Sequence, residues 1–435
     1  MKIVFLTPGT GSYYCGACMR DNMLARELIR IGHDVTLAPM YLPLMLDSER
    51  TDGLDQTPIF FGGINVFLQQ KVSLFRRTPA IFDQLLNSRG LLRWAARHSH
   101  LTSAREHGEL TREMLRVDSG PMRKELDKLF EWLGAIAKPE LVCLSTTLLA
   151  GFTPEIKRRL GVPVIAFFQG EDTFLDGLPE PYRTECWTAM TQRLSEADAL
   201  LAPSQFYADF IGGRMGLAPG SIEVAYNGIA LDGYAMAEPP PGPASIGFLA
   251  RMSLAKGLDR FVEAFILLAR DLGDHTTRLK IAGAVTAADE ALIAKLKKRL
   301  AGVGLGDRVE WLPNLSREAK IEFLRSLTLF SVPTVYPEAF GLYLIEALAC
   351  GVPVVQPASA AFPEIVAATS GGECVPPGDI PAMARSWQTL LGDAPRRAQL
   401  GRAGRLSVEK EFSAGKMAAR FLEIATRVVR VPASA

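Results

Sequence analysis

Short apolar runs alternate with amphipathic stretches along most of this chain, the pattern of parallel strands joined by crossover helices. Lys2 to Thr7 (KIVFLT) reads as a buried strand and Pro8 to Ala17 as a glycine-containing loop. Met19 to Ile31 follows as an amphipathic helix closed by Gly32, and Asp34 to Ala38 as the next strand. The alternation resumes at Leu141 with LVCLST, a helix near Pro154 to Leu160, VPVIAFFQ, a long helix near Pro181 to Glu196, and ALLAPS running into a helix from Gln205 to Met215. A second series begins near Ser221. It carries the strands SIGFLA, LKIAGA and RVEWLP, helices from Leu258 and over Arg317 to Leu327, the short run Leu329 to Pro333, a helix over Leu342 to Cys350, and a strand at Val354 and Val355. Helices from Pro381 to Leu391 and from Ser413 to Val429 finish the chain. The expected class is α/β, with two Rossmann-like doubly wound parallel-sheet domains over 1–215 and 216–412 and a terminal helix over 413–435.

The pattern breaks between about 43 and 138. Ile59 to Leu68 turns at Gly62-Gly63, a hairpin signal, and helical stretches follow around Ala80 to His100 and Gly108 to Ala137. From Lys71 to Lys128 there are 12 Lys or Arg against 7 Asp or Glu, with Phe75 and Trp94 among them. A peripheral membrane or anionic-acceptor face is one reading of this insert; an ordinary solvated helix face is the other. His98, His100 and His107 cluster here, but their spacing points the side chains apart, so no metal site is expected.

Composition adds limits. At 435 residues, 48% of them hydrophobic, the chain can fill two domains of about 200 residues each. Lys plus Arg number 48 against 47 Asp plus Glu, a balance that suggests neither nucleic acid nor an acidic partner. No run of 18 apolar residues is present, and the apolar start MKIVFLTPGT is too short for a signal peptide, so a cytoplasmic protein is expected. Cys15, Cys18, Cys143, Cys186, Cys350 and Cys374 suit a reducing compartment. Only CGAC, Cys15 to Cys18, forms a pair. It reads as a redox pair, half a metal site, or loop packing, and no second ligand pair accompanies it.

Candidate chemistry concentrates between Leu329 and Pro357. Glu338 lies in a loop and Glu346, with seven residues between them, lies about one turn into a helix of almost wholly apolar residues. A buried carboxylate needs donors, and the vicinal hydroxyls of a sugar supply two. Ala339, Phe340, Gly341 and Leu342 lead into that helix's N-terminus, where free N–H groups favour an anion such as a diphosphate. Arg251 and Lys256 stand in a loop before another helix, and charge-assisted bonds to phosphate are the strong kind. The alternative is two surface acids and a solvated loop.

The string PEAFGLYLIEALACGVPVV, Pro337 to Val355, resembles nearly residue for residue the donor-site signature of retaining glycosyltransferase family 4, the group 1 glycosyltransferases of GT-B fold. The resemblance implies Glu338 at the transferred sugar, Glu346 on the ribose, and Arg251 and Lys256 on the donor's phosphates, catalysis resting on Glu338, Arg251 and Lys256. Gly16 matches the family's glycine loop, with SYYCGAC in place of Gly-Gly. FFQGED resembles its strand-end motif, with Gln169 where a histidine usually stands and Asp172 close by. Ser204 falls at the family's serine, although a helix N-cap suffices to explain it. Asn227-Gly228 matches Pro-Asn-Gly with Tyr226 replacing the proline, and a stiff connector of Pro239, Pro240, Pro241 and Pro243 follows. PEIV and GGECVPPGD resemble the closing motifs.

Two domains facing across a cleft are implied, the first on the acceptor side, the second holding the donor, with the last helix crossing back onto the first. The implied reaction is retaining transfer of a sugar from a nucleoside diphosphate sugar to a hydroxyl of a glycan, lipid or small molecule. The nucleotide sugar is a co-substrate, and neither a cofactor nor a metal is expected. A nucleoside diphosphate sugar 2-epimerase of the same fold and a non-catalytic nucleotide-sugar binder are the rival readings.

Overall fold

The computed structural model describes residues 1–9, 16–41, 104–117, 122–236 and 242–430. Most of the 43–138 insert, Cys15, His98, His100 and the connector prolines 239–241 lie outside the described residues. The chain divides into two units. The first takes Met1–Pro203, Ala208–Ala225 and Met417–Ala435, and the second Ser204–Tyr207 and Tyr226–Lys416.

The first unit holds a parallel sheet in the order β2-β1-β3-β4-β5-β6. Its strands are β1 (Lys2–Thr7), β2 (Asp34–Pro39), β3 (Leu141–Leu144), β4 (Val164–Phe167), β5 (Ala199–Ala202) and β6 (Ile222–Val224). β3, β4 and β5 are buried at every position, as strands covered on both faces must be. Its described helices are α1 (Gly16–Arg30), α2 (Ala104–Leu115), α3 (Arg123–Trp132), α4 (Thr153–Leu160), α5 (Glu171–Asp176), α6 (Tyr182–Leu194) and most of α7 (Gln205–Met215). The helical stretch expected around Gly108 to Ala137 comprises α2 and α3, the second running on as a wider π turn over Leu133–Ala137. The boundary expected at 215/216 falls short of β6, which pairs with β5 (Leu201 opposite Glu223), so the first unit runs through Ala225 before the second takes over.

In the second unit the order is β12-β11-β10-β7-β8-β9, again parallel. The strands are β7 (Ser245–Leu249), β8 (Arg278–Gly283), β9 (Val309–Pro313), β10 (Leu329–Phe330), β11 (Val354–Pro357) and β12 (Gly372–Val375). The connecting helices are α8 (Leu258–Arg270), α9 (Glu290–Gly302), α10 (Arg317–Arg325), α11 (Leu342–Ala349), α12 (Phe362–Thr369), α13 (Ile380–Gly392) and α14 (Ala394–Glu411). Counted from β7 this is the doubly wound order 3-2-1-4-5-6, whose winding reverses between β7 and β10. In sheets of this order the loops leaving the two strands at that reversal, at their carboxyl ends, are where ligands bind.

The pattern reading did not anticipate α14. The last helix, α15 (Ala414–Arg430), places Met417, Phe421, Ile424, Ala425 and Val428 in the first unit's core beside Ile3, Phe5 and Phe167. The Phe421 ring centroid is 5.8 Å from that of Phe5 and 6.0 Å from that of Phe167. Burying a phenylalanine stabilises by about 1.5 to 3 kcal/mol, and this apolar stripe fixes the helix on the first unit.

Candidate functional site

In the second unit the loops that follow β7 and β10 bring together two of the residues expected to act, Lys256 and Glu338. Lys256 closes the loop after β7, and Gly257 behind it caps α8 with φ +72°. A Cβ at Gly257 would stand 1.8 Å from the Pro333 carbonyl oxygen, so glycine alone lets this loop press against the one leaving β10. Val335 N–H donates to the Ala255 carbonyl at 2.9 Å and ties the same two loops. Held there, Lys256 Nζ lies 2.5 Å from Glu338 Oε2.

Two phenols join the same oxygen. Tyr343 Oη donates to Glu338 Oε2 at 2.8 Å and Tyr336 Oη at 3.2 Å. Lys256 Nζ also sits over both rings, 4.7 Å from the Tyr336 centroid and 5.4 Å from that of Tyr343, a favourable cation–π placement. Burial, and then the charge on Glu338, push the Tyr343 phenol far above its ordinary range, so it remains a donor.

Glu346 lies one turn into α11, 8% exposed, and accepts on Oε1 from Tyr234 Oη and from Lys320 Nζ, both at 2.8 Å. A lysine and a tyrosine of the protein thus already satisfy one oxygen of Glu346. Burial, and next the Glu346 charge, raise the Tyr234 phenol.

Between the two acids, Gly341 takes φ +87° and caps α11, leaving Leu342 as its first residue. Ala339 and Phe340 are buried. The Phe340 ring packs with Tyr226 and Phe412, at 6.3 and 6.1 Å between centroids, so its side chain serves packing. The Ala339 carbonyl accepts from Ser204 Oγ at 2.7 Å, and the same hydroxyl accepts from Tyr207 N–H, the N-cap expected of it. Asn227 is buried on a segment whose next residues pair with 412–414, Ile229 N–H donating to the Phe412 carbonyl.

Arg251 does not share the Glu338 cluster. Met252 N–H donates to the Ala284 carbonyl, drawing this loop toward the end of β8, and Arg251 donates to Asp289 Oδ2 and to Thr286 Oγ1, each at 3.2 Å. Burial raises the Asp289 carboxyl, but bonds from the Thr286 side chain and backbone and from Arg251 outweigh it and leave it below its ordinary value.

The first unit carries its own polar group at strand ends. Gln169 follows β4 and Gly170 caps α5 with φ +102°. Glu171, fully buried, accepts from Thr146 Oγ1 at 2.6 Å, from Thr147 N–H at 3.1 Å and from Gln169 N–H at 2.7 Å, which fixes the backbone of the Gln169 turn. Burial lifts the Glu171 carboxyl above its usual range against the pull of those donors. Asp172 is buried beside it, and Gly16 is the first residue of α1. Arg20 and Asp21 in α1 are both buried, with Nε 2.8 Å from Oδ1, and the Arg20 guanidinium lies 4.0 Å over the Phe167 ring. Sequence reasoning passed over these two charges, because a charge on an amphipathic helix reads as solvated until the covering elements are known. It also passed over Tyr336 and Tyr343, two and five residues from Glu338, where proximity was a usable signal.

Among the described residues no three His, Cys, Asp or Glu side chains gather as metal ligands, and no helix is long and apolar enough to cross a membrane.

Residues 237–407 match the sequence profile of the glycosyl transferases group 1, and residues 22–232 match that of Glycosyltransferase Family 4. A D-inositol 3-phosphate glycosyltransferase of Mycobacterium sp. (strain JLS) is 29% identical over 228 residues, half of each protein. The lipopolysaccharide core biosynthesis mannosyltransferase LpsB of Rhizobium meliloti is 32% identical over 177 residues, 40% of this chain and 48% of that protein. The matches thus span about half the length of these curated relatives. Among solved structures, sucrose-phosphate synthase from Thermosynechococcus elongatus superposes over 98% of this chain and 99% of its own with a TM-score of 0.72 at 17% identity. Anabaena HepE in complex with UDP-glucose superposes over 98% and 99% with a TM-score of 0.65 at 16% identity.

Proposed function

Because the chain belongs to the group 1 glycosyltransferases and has their GT-B fold, we propose that it transfers a sugar from a nucleoside diphosphate sugar to a hydroxyl acceptor. The observation that carries this reading is the pair formed in the second unit by Lys256 and Glu338, 2.5 Å apart beside the N-terminus of α11. The cation and the helix end suit a diphosphate, and the two carboxylates suit hydroxyls on either side of it. Glu346 presents to the ribose, Glu338 to the transferred sugar, and Arg251 and Lys256 stabilise the charge that gathers on the departing diphosphate. That HepE was crystallised with UDP and with UDP-glucose makes a uridine donor the first to try.

The transfer proceeds with retention in this reading. The leaving diphosphate, on the face from which the acceptor arrives, takes the acceptor's proton, so no carboxylate base is required. In this reading a divalent ion is not needed, because Lys256 and the helix N-terminus, joined by Arg251 once it turns from Asp289, supply the positive charge that the diphosphate requires. Gly16, like Asn227, is a donor-binding candidate, Gln169 and Asp172 are polar candidates of the first unit, Gln169 for the donor's sugar, and the acceptor is a glycan, lipid or small molecule.

A thermal-shift panel of UDP, GDP, ADP and their sugars tests the reading, since a ligand of the native state adds RT ln(1 + [L]/Kd) to stability. One nucleotide and its sugar should raise the melting temperature, and Glu346→Ala should remove the shift. A panel without any shift overturns donor binding. Isomerised donor sugar appearing without acceptor would indicate an epimerase instead.

A further inference from the structure

Among the described residues, the three donors to the Glu338 carboxylate converge on one oxygen. Lys256 Nζ, Tyr343 Oη and Tyr336 Oη reach Oε2 at 2.5, 2.8 and 3.2 Å, and no donor among the described residues reaches Oε1. A carboxylate oxygen has two lone pairs, so three donors saturate Oε2. Oε1 keeps its full accepting capacity, and the plane of the group is fixed by bonds on the far side. We propose that Tyr343 is a positioning residue: it pins Glu338 through Oε2 so that Oε1 is presented to a hydroxyl of the donor's sugar.

This rests on the reading that Glu338 contacts that sugar. The lysine cannot do the positioning alone. An ammonium is a rotatable point charge on a flexible stem, and Lys256 must also serve the diphosphate, whereas the Tyr343 phenol is carried in the first turn of α11 by a ring packed near Phe330 and Phe362, at 6.1 and 6.4 Å between centroids. Its bond to Oε2 therefore persists when Lys256 turns toward phosphate. Tyr336 adds a longer bond of the same sense.

The test is a double-mutant cycle of Tyr343→Phe and Glu338→Gln, read by calorimetry with the nucleoside diphosphate and the nucleotide sugar chosen by the panel above, starting from UDP and UDP-glucose. Tyr343→Phe should leave affinity for the nucleoside diphosphate unchanged and weaken the nucleotide sugar about tenfold, the scale of one hydrogen bond to a charged group. Added to Glu338→Gln, it should change the nucleotide-sugar affinity by less than about twofold, because coupled residues fail to add. Tyr336→Phe, a milder change, should weaken the nucleotide sugar in the same selective way by about twofold to threefold, given its longer bond. Wild-type affinity in Tyr343→Phe and Tyr336→Phe while Glu338→Gln loses the sugar-dependent gain overturns the positioning role. So does a loss that adds fully to that of Glu338→Gln. Wild-type affinity and turnover in Glu338→Gln itself overturns the underlying assignment of Glu338, a separate outcome.

Discussion

Lys256 and Glu338, 82 residues apart in sequence, lie 2.5 Å from each other at the carboxyl ends of β7 and β10. Both side chains are largely covered, 18% and 13% exposed, so each shields the other from an unpaired charge. The pair is also where a donor must intervene, since a diphosphate competes with Glu338 for the ammonium. Lys256→Ala should weaken nucleoside diphosphate binding by roughly 1.5 to 3 kcal/mol, the range for a hydrogen bond to a charged group. It should also lower the melting temperature, because Glu338 keeps only its two phenols. Calorimetry and a thermal melt check both, and unchanged affinity would remove Lys256 from the donor site.

Glu346 should separate from Glu338 in its effects. Glu346→Gln keeps the volume but sets a neutral amide before Lys320 and Tyr234, removing the carboxylate charge that faces the largely buried Lys320 ammonium. Affinity for the free nucleoside diphosphate should fall, and stability should fall by about 1 to 3 kcal/mol. Glu338→Gln should hold its nucleoside diphosphate affinity and lose transfer. The assignment fails if the two variants behave alike.

Gly257→Ala tests the backbone contact that brings the loops together. At φ +72°, with the Pro333 carbonyl oxygen 1.8 Å from the new methyl, alanine requires a strained conformation and a backbone shift. The cost should be of order 3 kcal/mol. Displacing the start of α8 moves Lys256 from Glu338, so donor affinity should drop with stability. A variant as stable as the wild type would mean that the two loops can part without loss.

Asp289 sets an acid limit. Its carboxyl sits below the ordinary value of 3.8 in the folded chain, bonds from Thr286 and Arg251 overcoming the effect of burial. A depressed folded value means the charged form is favoured by folding, so the contribution is complete above about pH 4 to 5 and is lost as pH falls through the folded value. The melting-temperature difference between wild type and Asp289→Asn should therefore be largest near neutral pH and shrink steadily below about pH 3.8. A difference that grows on acidification would contradict this sign.

Much of the fold was legible because its signals are local. Apolar runs such as LVCL and VIAF are continuous since both faces of a parallel strand are covered, and helix stops such as Gly32 and Gly351 mark their own positions. The hydrophobic pattern from Lys2 and again from about Ser221 announced two α/β units, and Pro337 to Val355 carried enough of a family's signature to locate both glutamates. The end of the first unit was not legible. A three-residue strand such as Ile222–Val224 carries no mark of which sheet it will join, and its hydrogen bonds to β5 decided it.

The sequence by itself thus determined most of the element types and the fold class, and marked both acids as candidates. Only the tertiary structure decided what those acids touch. Glu346 meets Tyr234 and Lys320 from 112 and 26 residues away, and Arg251 meets Asp289 across 38. The physical reason is that periodicity fixes which face of a helix or strand is apolar, a property of neighbours in sequence. The partner of a buried charge depends on which strands lie side by side and how closely their loops approach, and β7 and β10 become neighbours only when the whole sheet is assembled.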